Sequence, residues 1–336
     1  MQPVLVVGSV AFDTIHNPFG SFPRVLGGSA TYASLAASHF APVRLVGVVG
    51  RDFPEETLAM LAGRGVDLAG LEVAEGETFH WEGRYSDDLS SRESLRTDLN
   101  VFADFRPRIP EGWRDSRFVM LGNIDPELQL EVLEQVRDPE LVVADTMNFW
   151  IEGKLPELRK VLERIDLLVI NEEEARQLSG EWHVTKVARA LLAMGPRRVV
   201  VKRGEYGALL FEETDVFSAP AYPVEEVRDP TGAGDSFAGG LLGYVARHDH
   251  VSLELLRRAV VHGSAVASFC VEDVGPKRLL EVTPDRLEER FLAFGALAHF
   301  ATDEELRRLR EQATSGPASA PSNGAGATMP EGVGGS

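Results

Sequence analysis

Basic residues are scarce in this chain. Its 336 residues hold 34 Lys and Arg against 52 Asp and Glu, a formal net charge of −18. Nucleic acids and anionic membranes bind basic protein faces, so neither is an expected partner. An anionic nucleotide remains compatible with the charge, because backbone amides and Mg2+ can hold its phosphates. One cysteine, Cys270, excludes an internal disulfide and a cysteine-based zinc site. No apolar run is long enough to cross a bilayer, and Met1-Gln2-Pro3 carries no basic leader, so the expected location is cytoplasmic. Motifs are missing too. There is no P-loop, no Gly-x-Ser-x-Gly elbow and no metalloprotease histidine pair. The dinucleotide fingerprint fails at Phe237, which stands where its third glycine belongs.

What remains is an ordinary globular composition, 44% hydrophobic and 26% charged. Val4–Val7, Val43–Val49, Phe118–Gly122, Leu141–Asp145, Leu167–Ile170 and Val199–Lys202 are short apolar runs alternating with helical stretches. Fully apolar strands fit a sheet buried on both faces. The alternation predicts an α/β fold with a mainly parallel, doubly wound sheet and helices on both faces. Ala208–Phe211 and the stretch near 216–224 predict a few antiparallel strands. Between Leu71 and Phe102 the texture turns aromatic and then charged, which predicts a β excursion able to cover a site or meet a second subunit. One domain over 1–300 is expected, with β lid segments near 12–26 and 71–105. A charged terminal helix follows at 301–313. From 314 onward the chain is too poor in apolar residues to stay ordered.

The densest chemistry lies in Asp229-Pro-Thr-Gly-Ala-Gly-Asp-Ser-Phe-Ala-Gly-Gly240. Gly232, Ala233 and Gly234 leave their amides approachable at the start of a helix, where unpaired N–H groups and the helix dipole attract anions. Asp235 would repel an anion unless it accepts a proton from a hydroxyl attacking that anion. The competing reading is an N-cap. Asp13 follows the first strand at its carboxyl end, where open α/β sheets bind ligands. It suits either a substrate hydroxyl or a turn. Gly27-Gly28 permits a tight turn and close approach of a ligand to the backbone. Asn171 and Glu174, three apart after the Leu167–Ile170 strand, suit hydrated Mg2+ on phosphates, or they merely begin a helix. Lys202, Gly204 and Gly207 could lie along a nucleotide or form a turn.

These pieces together resemble the ribokinase-like, or PfkB, carbohydrate kinase family over about Val4 to Phe294. The 229–240 stretch is similar to its C-terminal signature, Gly27-Gly28 with Gly47-Val-Val-Gly50-Arg-Asp52 to its N-terminal one, and Asn171-Glu-Glu-Glu174 to its Asn-x-x-Glu motif. The resemblance implies Asp235 as catalytic base and Gly232, Ala233 and Gly234 as anion hole. It puts Asp13, Gly27 and Gly28 on the acceptor. Asn171, Glu174, Lys202, Gly204, Gly207 and Thr231 fall beside ATP, with Mg2+ near Glu174 through water. Asp229 and Thr231 would flank a monovalent cation such as K+, and the lid is a candidate homodimer surface. Two departures bear on the acceptor. Tyr32 stands where an acceptor-binding Asn is common, and Asp145-Thr-Met-Asn148-Phe-Trp150 lacks the arginine of Asp-x-x-Asn-x-Arg. Tyr32 and Asn148 are thus acceptor-side candidates, and an aromatic border of Tyr32, Phe149, Trp150, Phe79 or Trp81 would suit an uncharged ligand. The expected activity is phosphorylation of a neutral sugar or polyol. The alternatives are a nucleoside kinase and, from another class, a non-catalytic sensor.

Overall fold

The structure is a computed structural model that describes residues 1–298 and 307–308. Among the described residues thirteen strands are formed. They are β1 Val4–Val7, β2 Ala11–Asn17, β3 Gly20–Gly27, β4 Val43–Gly50, β5 Val66–Ala74, β6 Phe79–Tyr85, β7 Arg92–Asp98, β8 Phe118–Leu121, β9 Leu141–Ala144, β10 Leu167–Asn171, β11 Arg198–Lys202, β12 Ala208–Phe211 and β13 Val216–Ala219. Nine of them make one sheet in the order β13-β12-β11-β10-β9-β8-β1-β4-β5. It is parallel from β5 to β11, and β12 and β13 add antiparallel strands at one edge.

Period-two geometry sorts the apolar strands between two cores. Val4 and Val6 of β1 face one, with helices Ser29–Ser38, Ala233–His248 and Leu253–Cys270. Leu5 and Val7 face the other, with helices Pro126–Gln135, Leu155–Leu162 and Val184–Leu192. This is the doubly wound α/β arrangement read from the strand–helix alternation.

A second sheet of order β3-β2-β6-β7 stands apart. It is mixed rather than purely antiparallel, because β2 pairs β6 in parallel. The excursion expected from Leu71 begins later than the sequence texture indicates. Val66–Ala74 pairs with β4 and forms the edge of the large sheet. An edge strand has one neighbour and a half-solvated face, so its sequence alternates and looks less buried than that of a central strand. The expected terminal helix and tail lie outside the described residues, apart from helical Arg307 and Arg308.

Two helices of the first core touch backbone to backbone. A Cβ on Gly239 would lie 2.2 Å from the Ala33 carbonyl oxygen, and one on Gly243 would lie 2.7 Å from that of Ala37. Gly239→Ala therefore forces these helices apart. We expect a loss of about 1–3 kcal/mol in denaturant unfolding, whereas Gly63→Ala, with open space around it, leaves stability within about 0.5 kcal/mol.

Candidate active site

The expected residues meet at the carboxyl edge of the parallel strands, where doubly wound sheets bind ligands. After β1 the chain turns through Ser9, whose carbonyl accepts from the Ala30 amide at 2.9 Å. Gly28 adopts φ 94° and a Cβ there would lie 2.4 Å from the Ser9 carbonyl oxygen, so only glycine fits. A Cβ on Gly27 would lie 2.0 Å from the Asp13 carboxylate. The double glycine thus sets Asp13, which is buried at 5% exposure, against bare backbone.

The helix Ala233–His248 begins at Gly232, the N-cap, in the left-handed region at φ 74°. No side chain caps it. Asp235 is the third helical residue, so the N-cap reading of Asp235 falls; no side chain occupies the first-turn amides, and the Ala233 amide donates to the Pro230 carbonyl at 3.2 Å. The helix starts at Ala233, inside the Gly232-Ala233-Gly234 stretch that the sequence reading set at a helix start. The ring of Tyr32 lies flat against Gly232, where a Cβ would meet it at 2.3 Å. Asp229, fully buried, accepts from the Thr231 amide at 2.9 Å and the Gly275 amide at 3.0 Å. Its two oxygens pin the loop that carries the anion hole. Thr231 Oγ1 shares a 2.9 Å hydrogen bond with the hydroxyl of Tyr85, on β6 of the second sheet.

Electrostatics set this region apart. Burial and the neighbouring Asp145 carboxylate push Asp235 up to about 7. Burial, Asp229 and Asp235 push Asp13 up to about 8. Burial and Asp145 raise Glu174 to about 7. Burial alone would lower Lys202, but Asp145, Glu174 and Asp235 outweigh it and hold the ammonium protonated above its ordinary range. A carboxylate near neutrality, close to an uncapped helix start, has the proton affinity a general base requires.

Asn171 and Glu174 form a capping box. Asn171 Oδ1 accepts from the Glu174 amide at 2.8 Å, and the Asn171 amide donates to Glu174 Oε2 at 3.2 Å. The helix-start reading is therefore realised for both, while the Glu174 carboxylate still lies close enough to Asp145 and Lys202 to feel both charges. Gly207, at φ 88°, is demanded by the turn into β12, since a Cβ would lie 2.1 Å from the Ala219 carbonyl oxygen. Gly204 at φ 54° faces open space. Asn148 and Phe149 are exposed on the short Asn148–Gly153 helix, and Trp150 donates to Asn123 Oδ1 at 2.9 Å. Phe79 stacks on Phe102 at 5.4 Å, and Tyr32 is 1% exposed. The expected aromatic border is thus dispersed, because most of these rings are engaged in packing elsewhere.

Three residues of the region went unassigned in the sequence reading. Asp145 directly follows β9 at its carboxyl end, and the placement rule that singled out Asp13 could have found it, although Asp13 itself stands within β2 of the second sheet rather than in a turn. Arg92 sits opposite Tyr85 in the β6–β7 ladder, and its charge lowers the proton affinity of Asp13, Glu174 and Asp235. Nothing local in the sequence announces that a lid arginine and tyrosine reach the anion hole.

A near-neutral carboxylate beside uncapped helical amides is the architecture of a phosphotransferase site. The family model of the pfkB family carbohydrate kinases matches residues 1–282. A cytidine kinase of Thermococcus kodakarensis is 33% identical over 252 residues, 74% of this chain and 90% of that protein. An inositol 3-kinase of Arabidopsis thaliana is 27% identical, covering 85% of this chain and 80% of the relative. Among solved structures, an Escherichia coli protein assigned as ribokinase II and crystallised with ATP and Mg2+ superposes with TM-score 0.72 at 20% identity, over 87% of this chain and all 100% of the other. The chain belongs to the PfkB family and has the ribokinase-like fold.

The raised Asp235 carries a stability cost. Its ordinary value is 3.8 and its folded value about 7. The folded ionised form is disfavoured above pH 7, and the cost fades as pH falls toward the ordinary value and the group takes up a proton. Asp235→Asn should therefore raise the ligand-free unfolding temperature by roughly 2–4 °C at pH 8.5. The gain should shrink by pH 5.5. A loss of stability at pH 8.5 would contradict the electrostatic reading.

Proposed function

We propose that this kinase transfers the γ-phosphoryl group of ATP to a hydroxyl of a nucleoside. The observation that carries the phosphotransfer chemistry is Asp235, near-neutral in proton affinity and set in the first turn of an uncapped helix. The nucleoside acceptor is supported by the 33% identity to a cytidine kinase. It replaces the neutral sugar as the leading reading. A neutral polyol stays as the second, on the likeness to an inositol 3-kinase.

Asp13 holds the acceptor. Its proton affinity lets it donate to one hydroxyl oxygen and accept from another group. Asp235 accepts the proton of the attacking hydroxyl as the new O–P bond forms and the bond to ADP breaks. The amides of Gly232, Ala233 and Gly234 receive the charge that develops on the phosphoryl oxygens. The Tyr32 ring leaves no room for a side chain at position 232, so a glycine is required there. Mg2+, when bound, neutralises phosphate charge. Glu174 would face it through water, and the donor set fits, since a recessed carboxylate raised by a like-charged neighbour gains from any cation. Among the described residues no three metal-ligating side chains converge, which suits an ion that draws its ligands from phosphates and water. Asp229 is taken up by its loop, and a monovalent cation enters no step.

A coupled ADP-release screen over cytidine, adenosine, ribose, fructose and myo-inositol tests the acceptor. Turnover with nucleosides is expected; turnover with myo-inositol alone moves the assignment to the polyol. Nucleotide-induced stabilisation with no ADP from any acceptor would establish a sensor instead. With the true acceptor, Asp235→Asn should lower kcat by about 10²- to 10⁴-fold while ATP still binds. Near-wild-type turnover would sink the mechanism.

A further inference from the structure

Lys202 is a buried cation in an awkward place. It ends β11, and its side chain is 17% exposed. Its Nζ lies 3.5 Å from Asp145 Oδ1, whose own side chain is 9% exposed. In the sheet order β11-β10-β9 the pair reaches across the end of β10. A Cβ on Gly234 would lie 2.7 Å from Nζ and 3.7 Å from Cε of Lys202. Gly232 is bare because of a ring, and Gly239 because of a neighbouring backbone. Gly234 is bare where the ammonium sits.

Elementary electrostatics oppose this arrangement. A helix start carries partial positive charge, so a cation there is disfavoured. Burying an ion pair costs desolvation that its own attraction barely offsets. Plain stability would be served as well by apolar side chains at both 202 and 145. What the arrangement does provide is a fixed ammonium at the amide cluster, where negative charge builds up during transfer. Asp145 is itself held rigidly, since its amide donates to the Leu121 carbonyl at 3.0 Å and its carbonyl accepts from Gln129 Nε2 at 3.1 Å.

Resting on the kinase reading, we propose that Lys202 donates a hydrogen bond to the transferred phosphoryl group and that Asp145 is the positioning residue holding Nζ against Gly234. No covalent bond to Lys202 forms or breaks. One N–H of the ammonium serves a phosphoryl oxygen while another stays on Asp145. The assignment singles out the terminal phosphate: a cation at the anion hole meets the group that ATP has and ADP lacks.

The test compares wild type, Lys202→Met, Asp145→Asn and the double variant by calorimetric binding of ATP and of ADP with Mg2+, and by steady-state kinetics. Lys202→Met should abolish the preference for ATP over ADP, a change of about ten- to a hundredfold. Asp145→Asn should lose most of the same preference. Both should lower kcat and leave KM for the acceptor unchanged. The double variant should be no worse than Lys202→Met alone, because Asp145 acts through the ammonium. Losses that multiply in the double variant overturn the proposal. So does equal weakening of ATP and ADP, or an acceptor KM that moves with kcat as a general loosening of the fold would make it. Ligand-free thermal unfolding checks each variant; if Asp145→Asn does not fold, Asp145→Glu, which displaces the carboxylate by one methylene, takes its place with the same expected loss of ATP preference. The two readings fail differently. A wild type that prefers ATP but forms no ADP sinks the kinase reading and leaves the binding comparison in force, and one that binds neither nucleotide sinks both.

Discussion

The close passage of two helices fixes the geometry on which everything else depends. Ala33 and Ala37 on one, and Gly239 and Gly243 on the other, are each four residues apart, so each pair lies on one face of its helix. Meeting without intervening side chains, they let the backbones approach until a single added carbon would collide. One of these helices follows Gly28 and the other follows Gly232. Their starts are therefore held together: the turn that presents Asp13 and the loop that presents the bare amides become two sides of one place. Tyr32 lies one turn into the first helix, and its ring against Gly232 ties the two starts directly.

Into that place the chain puts more negative charge than folding favours. Asp13, Asp145, Glu174, Asp229 and Asp235 all have raised proton affinities, with burial as the largest cause in each. Only Lys202 answers them from within the large sheet, and Arg92 from the lid. Such a set is a poor device for stability and a good one for catalysis, because a base must be hungry for protons at the working pH. The distinction between the members is physical. Asp229 has both oxygens engaged by loop amides and acts as a brace, whereas Asp235 is held mainly by the charges of Lys202 and Arg92.

Much of this was readable in the residues and some was not. Strand–helix alternation gave the doubly wound sheet because fully apolar four-residue strands have few other uses. The helix start within 229–240 was readable because the glycines that allow a left-handed N-cap are a local property, settled within one turn of chain. Asn171 and Glu174 were half readable: the spacing that suits a metal also suits a capping box, and the structure forms the box. The lid contacts were not readable at all. Tyr85 bonding Thr231 joins residues 146 apart in sequence, and no local pattern encodes such a pairing. The edge strand Val66–Ala74 was misread for a related reason, since exposure at a sheet edge makes a structural strand look like a surface excursion.

The departures from the family pattern gain meaning once the packing is known. Tyr32 occupies a position where an amide could have met the acceptor, yet its ring is spent on Gly232 and its hydroxyl is buried without a protein partner among the described residues. A residue so placed shapes the floor of the site rather than reading its ligand. Asp13 lies against Gly27, where a Cβ would meet its carboxylate at 2.0 Å. On the β6–β7 hairpin the Arg92 guanidinium lies 5.4 Å from the Trp81 ring centroid. Because Tyr85 on that same hairpin bonds the loop of the anion hole, lid position and anion-hole position are not independent. The 2.9 Å hydrogen bond between Tyr85 and Thr231 thus ties the β6–β7 hairpin to the loop just before the helix that carries Asp235.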